Sequence, residues 1–418
     1  MDRRQFFHQF LALFSGTAVA QLFNLASYPL LARLYTPADF GLFGTFIAAA
    51  AIPGALACGR FELGITTAPD SGRRAILWLC YALTFAVACF STIVMGFYWS
   101  WAEAPQLGLL LPMLFLSVLL TGVVNATTMY LMRHESFRYA SFGGVVRTAA
   151  TVMVQLAFVL AIPGPMGLIV GFAVGLVAQS LMGMAIVLRR FPIGAPDVTG
   201  MADMYRRFKH QVAVDIPGTL VAALSLNLIP FILQAMHGIR AVGHYSLGQR
   251  VAVLPLQLFN DSLSQVFFQR AARAQEARGE FWAEFRFTLL ASGAVGLVTM
   301  IGLWLFARPV IAIYLGPNWD VAADILVILA PMLAIRGVTM SLATSVFVLG
   351  KPAWLLWHNL ASLAAMGLAA AINWRLGGDV IAFVEYLSIA QGIEYAGFGL
   401  ILMQVVHSRF SQQRASRA

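Results

Sequence analysis

Charge is scarce in this chain. Only 11% of its 418 residues are Asp, Glu, Lys or Arg, and lysine is confined to Lys209 and Lys351. A soluble protein of this length presents a charged surface to water, so such a fold is excluded for the bulk of the sequence. Cysteine is rare too. Cys58, Cys80 and Cys89 lie inside apolar stretches without metal-ligand spacing and read as small buried hydrophobes. No G-x-x-x-x-G-K-[ST] phosphate loop occurs, since Gly350-Lys351 is followed by Pro352 and lacks the upstream glycine; ATP hydrolysis by that device is excluded. H-E-x-x-H and G-x-S-x-G are missing as well, and the seven histidines are scattered between segments. No catalytic residue, metal site or cofactor is therefore expected. The polar breaks are also too short to carry the extramembrane surface a membrane enzyme needs.

What the chain has is hydrocarbon. Hydrophobic residues make up 60% of it, with a mean hydropathy of +0.79. Apolar runs long enough to cross ~30 Å of bilayer as helices recur throughout. They predict twelve spans, at 8–33, 40–65, 74–98, 106–131, 140–162, 166–188, 212–236, 242–267, 286–307, 321–349, 353–374 and 379–406. The Arg3-Arg4 pair followed by Ala18-Val19-Ala20 imitates an export signal. The apolar run continues to Leu34, too long for a cleaved segment, so an uncleaved helix is expected.

The net charge of +9 sits in short arginine clusters between spans, which fits membrane topology and not a nucleic-acid face. With the loop after the first span placed outside, nineteen Lys and Arg fall on the inner side. Five (Arg33, Arg240, Arg250, Arg308 and Arg375) fall at outer ends, and Arg60, Arg147 and Arg336 lie at depth. Both termini are accordingly expected in the cytoplasm.

The longest hydrophilic stretch, Arg189 to Gln211, reads as a linker between two six-helix halves, with lobes at 1–205 and 206–418. The halves match at a constant offset of 202: Gly16-Thr17 with Gly218-Thr219, Gly41 with Gly243, and Pro53 with Pro255. An even number of spans per half makes the repeats parallel. The expected architecture is an all-α polytopic membrane protein of about twelve transmembrane helices, in two parallel-repeat lobes around a central cavity.

Polar groups at membrane depth must face protein or a wet cavity, because an ionisable side chain at the bilayer centre costs roughly 2.5–3.5 kcal/mol. Thr17, Gln21, Asn24 and Tyr28 share one face of the first span, and Thr121, Asn125 and Thr128 one face of the fourth. Arg250, Gln257 and Asp261 align on the eighth. Such stripes serve either as interhelical hydrogen-bond contacts or as cavity lining. Arg60, Arg147, Arg250 and Arg336 could together form a cationic cavity for a phosphorylated cargo. The alternatives are snorkelling of Arg60 and Arg250, or pairing with Glu62 and Asp261. Asp215, Glu385 and Glu394 are candidates for a coupling proton or sodium ion, or else structural partners of arginines. Gly171 and Gly175 have the spacing for close helix packing.

Several segments resemble one family in order along the chain. Leu30-Leu31-Ala32-Arg33-Leu34-Tyr35-Thr36-Pro37-Ala38-Asp39-Phe40-Gly41 resembles the first inter-helix loop of the polysaccharide transporter family, the Wzx-type flippases. Gly59-Arg60-Phe61-Glu62-Leu63-Gly64-Ile65 resembles its helix 2 ending, and Ser264-Gln265-Val266-Phe267-Phe268-Gln269-Arg270 its helix 8 exit. Tyr314-Leu315-Gly316-Pro317-Asn318-Trp319, Leu329-Ala330-Pro331 and Leu349-Gly350-Lys351 resemble later connections. Thr66-Thr67 stand where an aliphatic pair is usual.

The resemblance implies the multidrug/oligosaccharidyl-lipid/polysaccharide exporter fold in a bacterial cytoplasmic (inner) membrane. The implied cargo is an undecaprenyl-pyrophosphate-linked oligosaccharide, an O-antigen or exopolysaccharide repeat unit, with a polysaccharide polymerase and other assembly proteins as partners. By motif position it transfers Arg60 and Glu62, the latter as a further ion-coupling candidate. The rival reading is an ion-coupled multidrug/cation antiporter of the same superfamily, which would want carboxylates and aromatics in its cavity.

Overall fold

The computed structural model describes residues 3–101, 108, 110–162, 164–191, 194 and 196–417. The side chains of Arg3, Arg4, Thr17, Arg138, Pro255, Arg414 and Arg417 lie outside the described residues. In hydrocarbon every backbone N–H and C=O must be satisfied within the chain, and a helix does this segment by segment. Fifteen helices result among the described residues: α1 (Arg3–Leu34), α2 (Pro37–Ala55), α3 (Glu62–Thr67), α4 (Arg73–Trp101), α5 (Leu111–Arg133), α6 (Phe137–Ala161), α7 (Met166–Arg190), α8 (Val198–Asn227), α9 (Ile229–His237), α10 (Ile239–Arg278), α11 (Trp282–Tyr314), α12 (Asp320–Ala343), α13 (Ser345–Val348), α14 (Ala353–Leu376) and α15 (Val380–Arg417).

Nine segments are long and apolar enough to cross a membrane among the described residues, and α8 with α9 makes a tenth across their break at Leu228. By position, α1 and α10, whose side chains are described only in part, match the first and eighth expected spans. The second expected span is not continuous. α2 stops two residues after Pro53, residues 56–61 turn, and Gly59 (φ 57°) and Arg60 (φ 65°) are left-handed before α3 begins. Proline removes an i→i−4 bond, which lets the helix end there.

The chain forms two compact units, 1–227 and 228–418. The expected lobe boundary at 205/206 falls within the continuous helix α8, and the expected linker is helical from Val198. The reason is an amphipathic start: Met204, Phe208 and Val212 are buried in the apolar core of the first unit while Arg206, Arg207 and Lys209 are exposed. That core also contains Cys58 and Cys80.

Within each unit the helices pair in the same way. In the first, α4 packs on α5, α5 on α7, α6 on α7, and α2 on α5; in the second, α11 packs on α12, α12 on α15, α14 on α15, and α10 on α12. The offset of 202 carries Pro37, where α2 begins, onto Ile239, where α10 begins. Later helix starts are displaced from it, which is why the sequence matches are confined to the early helices of each half.

Local chemistry explains the family-like segments. Thr36 caps α2: its Oγ1 accepts from Asp39 N at 3.3 Å, and Asp39 Oδ2 accepts from Thr36 N at 2.9 Å, with Pro37 in the first turn. Trp319 is fully buried, edge-on to His244. On α7, a Cβ at Gly171 would meet Thr151 O at 2.8 Å and one at Gly175 would meet Arg147 O at 2.7 Å, so both glycines admit the backbone of α6.

Candidate functional site

Arg60 sits in the turn between α2 and α3, and its NH1 donates to Glu62 Oε1 at 3.2 Å. Glu62 is buried, and its second oxygen and Arg60 Nε have no hydrogen-bond partner. Asp215 on α8 is half-buried and within electrostatic reach of Glu62. A non-glycine residue held at φ 65° costs of order 1–2 kcal/mol, so the turn keeps Arg60 in a conformation that arginine does not choose by itself.

Arg147 lies on α6, half-buried, with its guanidinium carbon 5.1 Å from the centre of the Phe172 ring on α7. No carboxylate oxygen lies within 4.0 Å of it among the described residues. A polar patch continues along this helix pair. Gln155 donates to Leu168 O at 3.0 Å, and Tyr35 donates to Gln155 O at 2.7 Å. Gln21 and Asn24 on α1 and Asn125 on α5 are half-buried.

In the second unit Arg336 on α12 faces the Tyr395 ring of α15 at 6.0 Å and lies within electrostatic reach of buried Tyr245 on α10, again with no carboxylate within 4.0 Å among the described residues. Gln249 donates to the Tyr245 hydroxyl at 3.2 Å, and Ser341 donates to Asn260 Oδ1 at 3.2 Å. Arg250 is half-buried on α10, whereas Gln257 and Asp261, expected on the same stripe, are exposed. Glu385 is exposed on α15.

Glu394 is not alone. His358 Nδ1 on α14 lies 2.7 Å from Glu394 Oε1, both side chains nearly buried, with His358 stacked on Phe398 and adjoining Tyr395. Tyr395 thus neighbours both Arg336 and His358. Sequence reasoning missed His358, Tyr245, Gln249 and Tyr395. Gln249 and Tyr245 are one turn apart on α10, a local spacing, whereas the partners of His358 and Tyr395 lie on other helices and the sequence signals only that each polar group interrupts an apolar run.

The arginines are therefore distributed two to a unit, Arg60 and Arg147 in the first and Arg250 and Arg336 in the second. Residues 30–324 match the model of the polysaccharide biosynthesis protein family, about seven-tenths of the chain. The chain belongs to that family. Its fold recurs in solved transporters of low sequence identity. The lipid II flippase MurJ in an inward closed conformation aligns with a TM-score of 0.73 at 14% identity, covering 96% of this chain and 92% of MurJ. A multidrug resistance MATE family transporter of the MOP superfamily, inward-facing, gives 0.63 at 15%, covering 97% and 96%. A MOP superfamily transporter from Pyrococcus furiosus, whose structure is described as having a binding pocket of reverse polarity, gives 0.61 at 16%, covering 97% and 95%. No curated protein matches the sequence. This member of the family is thus a multi-pass membrane protein with the MOP fold.

Proposed function

We propose that this protein is a flippase that moves an undecaprenyl-pyrophosphate-linked oligosaccharide from the cytoplasmic to the periplasmic leaflet of a bacterial inner membrane, with both termini in the cytoplasm. The observation that carries this reading is the state of Arg147 and Arg336. Each is held against an aromatic ring at membrane depth with no carboxylate within ion-pair distance among the described residues. A cation at membrane depth without an anion is costly, and a diphosphate head group would supply the missing charge with bidentate geometry. Arg60, already paired with Glu62, would bind more weakly. Family membership supports a role in polysaccharide assembly, and the fold, shared with transporters, supports alternating exposure of the head-group site to the two membrane faces while the lipid tail stays in the bilayer. Glu62, buried with one oxygen unpaired, is our choice for a coupling ion in the first unit. A polysaccharide polymerase would receive the product.

The test is to measure lipid-linked oligosaccharide on each membrane face in cells lacking this protein and other transporters able to replace it, then restore wild type, Arg147→Ala or Arg336→Ala. Inner-face accumulation relieved by wild type and not by either variant is the expected result. A knockout whose distribution equals that of wild-type cells removes the flippase reading.

A further inference from the structure

The second unit contains a cavity with a carboxylate in its lining. It measures about 460 Å³ and lies between α14 and α15, walled by Trp354, Trp357, Phe398 and Ile393, with His358 and Glu394 in its lining. Glu394 Oε1 is taken by His358, while Oε2 is buried and has no hydrogen-bond partner. The Glu394 side chain is only 10% exposed. The contact with His358 thus leaves Oε2 as the free polar atom of the pair.

Of the nearby cations, Lys351 lies 4.6 Å from the Trp354 ring and Arg336 lies 6.0 Å from the Tyr395 ring. Neither forms an ion pair with Glu394. Trp357, 67% exposed, and Ile393, 69% exposed, form an open apolar mouth. A carboxylate oxygen in need of a partner, beside an accessible indole face in a largely apolar recess, is the chemistry that recognises an organic cation bearing apolar substituents. A metal ion fits poorly, because the remaining lining supplies no further oxygen ligands beyond the carboxylate.

We propose that the cavity between α14 and α15 is a binding site for an amphipathic organic cation, with Glu394 Oε2 as its counter-charge, Trp357 as its π face and His358 as the residue that orients the carboxylate. The site is independent of the flippase reading, whose cargo is anionic and whose arginines lie elsewhere.

The experiment uses the full chain in phosphatidylglycerol nanodiscs and tritiated tetraphenylphosphonium as probe. Wild type should bind it saturably, Glu394→Gln should weaken binding at least tenfold, and Trp357→Ala about threefold or more. Trp374→Ala, an exposed tryptophan at the other end of α14, should leave it unchanged. Trp357→Ala removes an exposed rim side chain and keeps the result interpretable should Glu394→Gln fail to fold, which size-exclusion elution will reveal. Repeating the titration with phosphatidylethanolamine in the disc separates two sources of the same chemistry. Competition assigns the site to an aminolipid head group, and its absence to a free lipophilic cation. No saturable binding by wild type, or equal binding by wild type, Glu394→Gln and Trp357→Ala, overturns the proposal, and neither result bears on the Arg336 experiment.

Discussion

The guanidinium of Arg147 lies over the ring of Phe172, with 5.1 Å between its central carbon and the ring centroid. The same helix pair brings the backbone of α6 against Gly175, so the arginine is positioned by glycine packing as well as by its aromatic neighbour. A cation on a ring face keeps its N–H groups free for an anion, which an ion pair with a carboxylate would not.

Replacing Phe172 should therefore separate positioning from charge. Phe172→Leu keeps the volume apolar and removes the π face, worth about 0.5–2 kcal/mol. Translocation of lipid-linked oligosaccharide should fall about two- to thirtyfold, with Phe172→Tyr near wild type. A full-rate Leu variant would show that the ring does not hold Arg147 in a working position.

Gly175→Ala should destabilise the first unit by roughly 1–3 kcal/mol, because the new methyl meets the carbonyl of Arg147, which belongs to a packed helix and cannot swing aside. Gly293→Ala, where nothing lies within 4 Å of the added carbon, is the control and should be neutral or slightly stabilising. Thermal unfolding of detergent-purified protein distinguishes them, and equal midpoints would contradict the close approach of α6 and α7.

Thr36→Ala should cost about 1 kcal/mol through loss of the cap on α2, and Thr36→Ser very little. Because Thr36 and Asp39 serve each other, Thr36→Ala with Asp39→Ala should cost less than the sum of the two single changes. Additive shifts in the unfolding midpoint would mean that the two bonds act separately.

Arg60→Gly should divide stability from transport. In a Glu62→Gln background, where no buried carboxylate is left without its partner, glycine accepts φ 65° without strain and recovers about 1 kcal/mol. The unfolding midpoint should hold or rise relative to Glu62→Gln alone while translocation drops severalfold. A midpoint lowered along with transport would assign Arg60 to the fold.

The sequence by itself determined the membrane as solvent, the all-helical class and most of the spans. Each of these depends on a contiguous stretch of chain, an apolar run of bilayer length. It also indicated the close packing at Gly171 and Gly175, since small residues one turn apart leave one flat face. Tertiary structure decided the rest. An apolar run does not state its own continuity, so the turn at 56–61 inside the second expected span was hidden within hydrophobic residues. A polar stretch read as a linker became the start of α8 because an apolar stripe one turn apart found a core to cover. The pairing of His358 with Glu394, 36 residues away, and the placing of Tyr395 beside both His358 and Arg336 depend on how α12, α14 and α15 pack. Hydrophobicity sets which segments enter the bilayer, whereas the partner of each buried charge is set by side chains from other helices, and no local pattern encodes that choice.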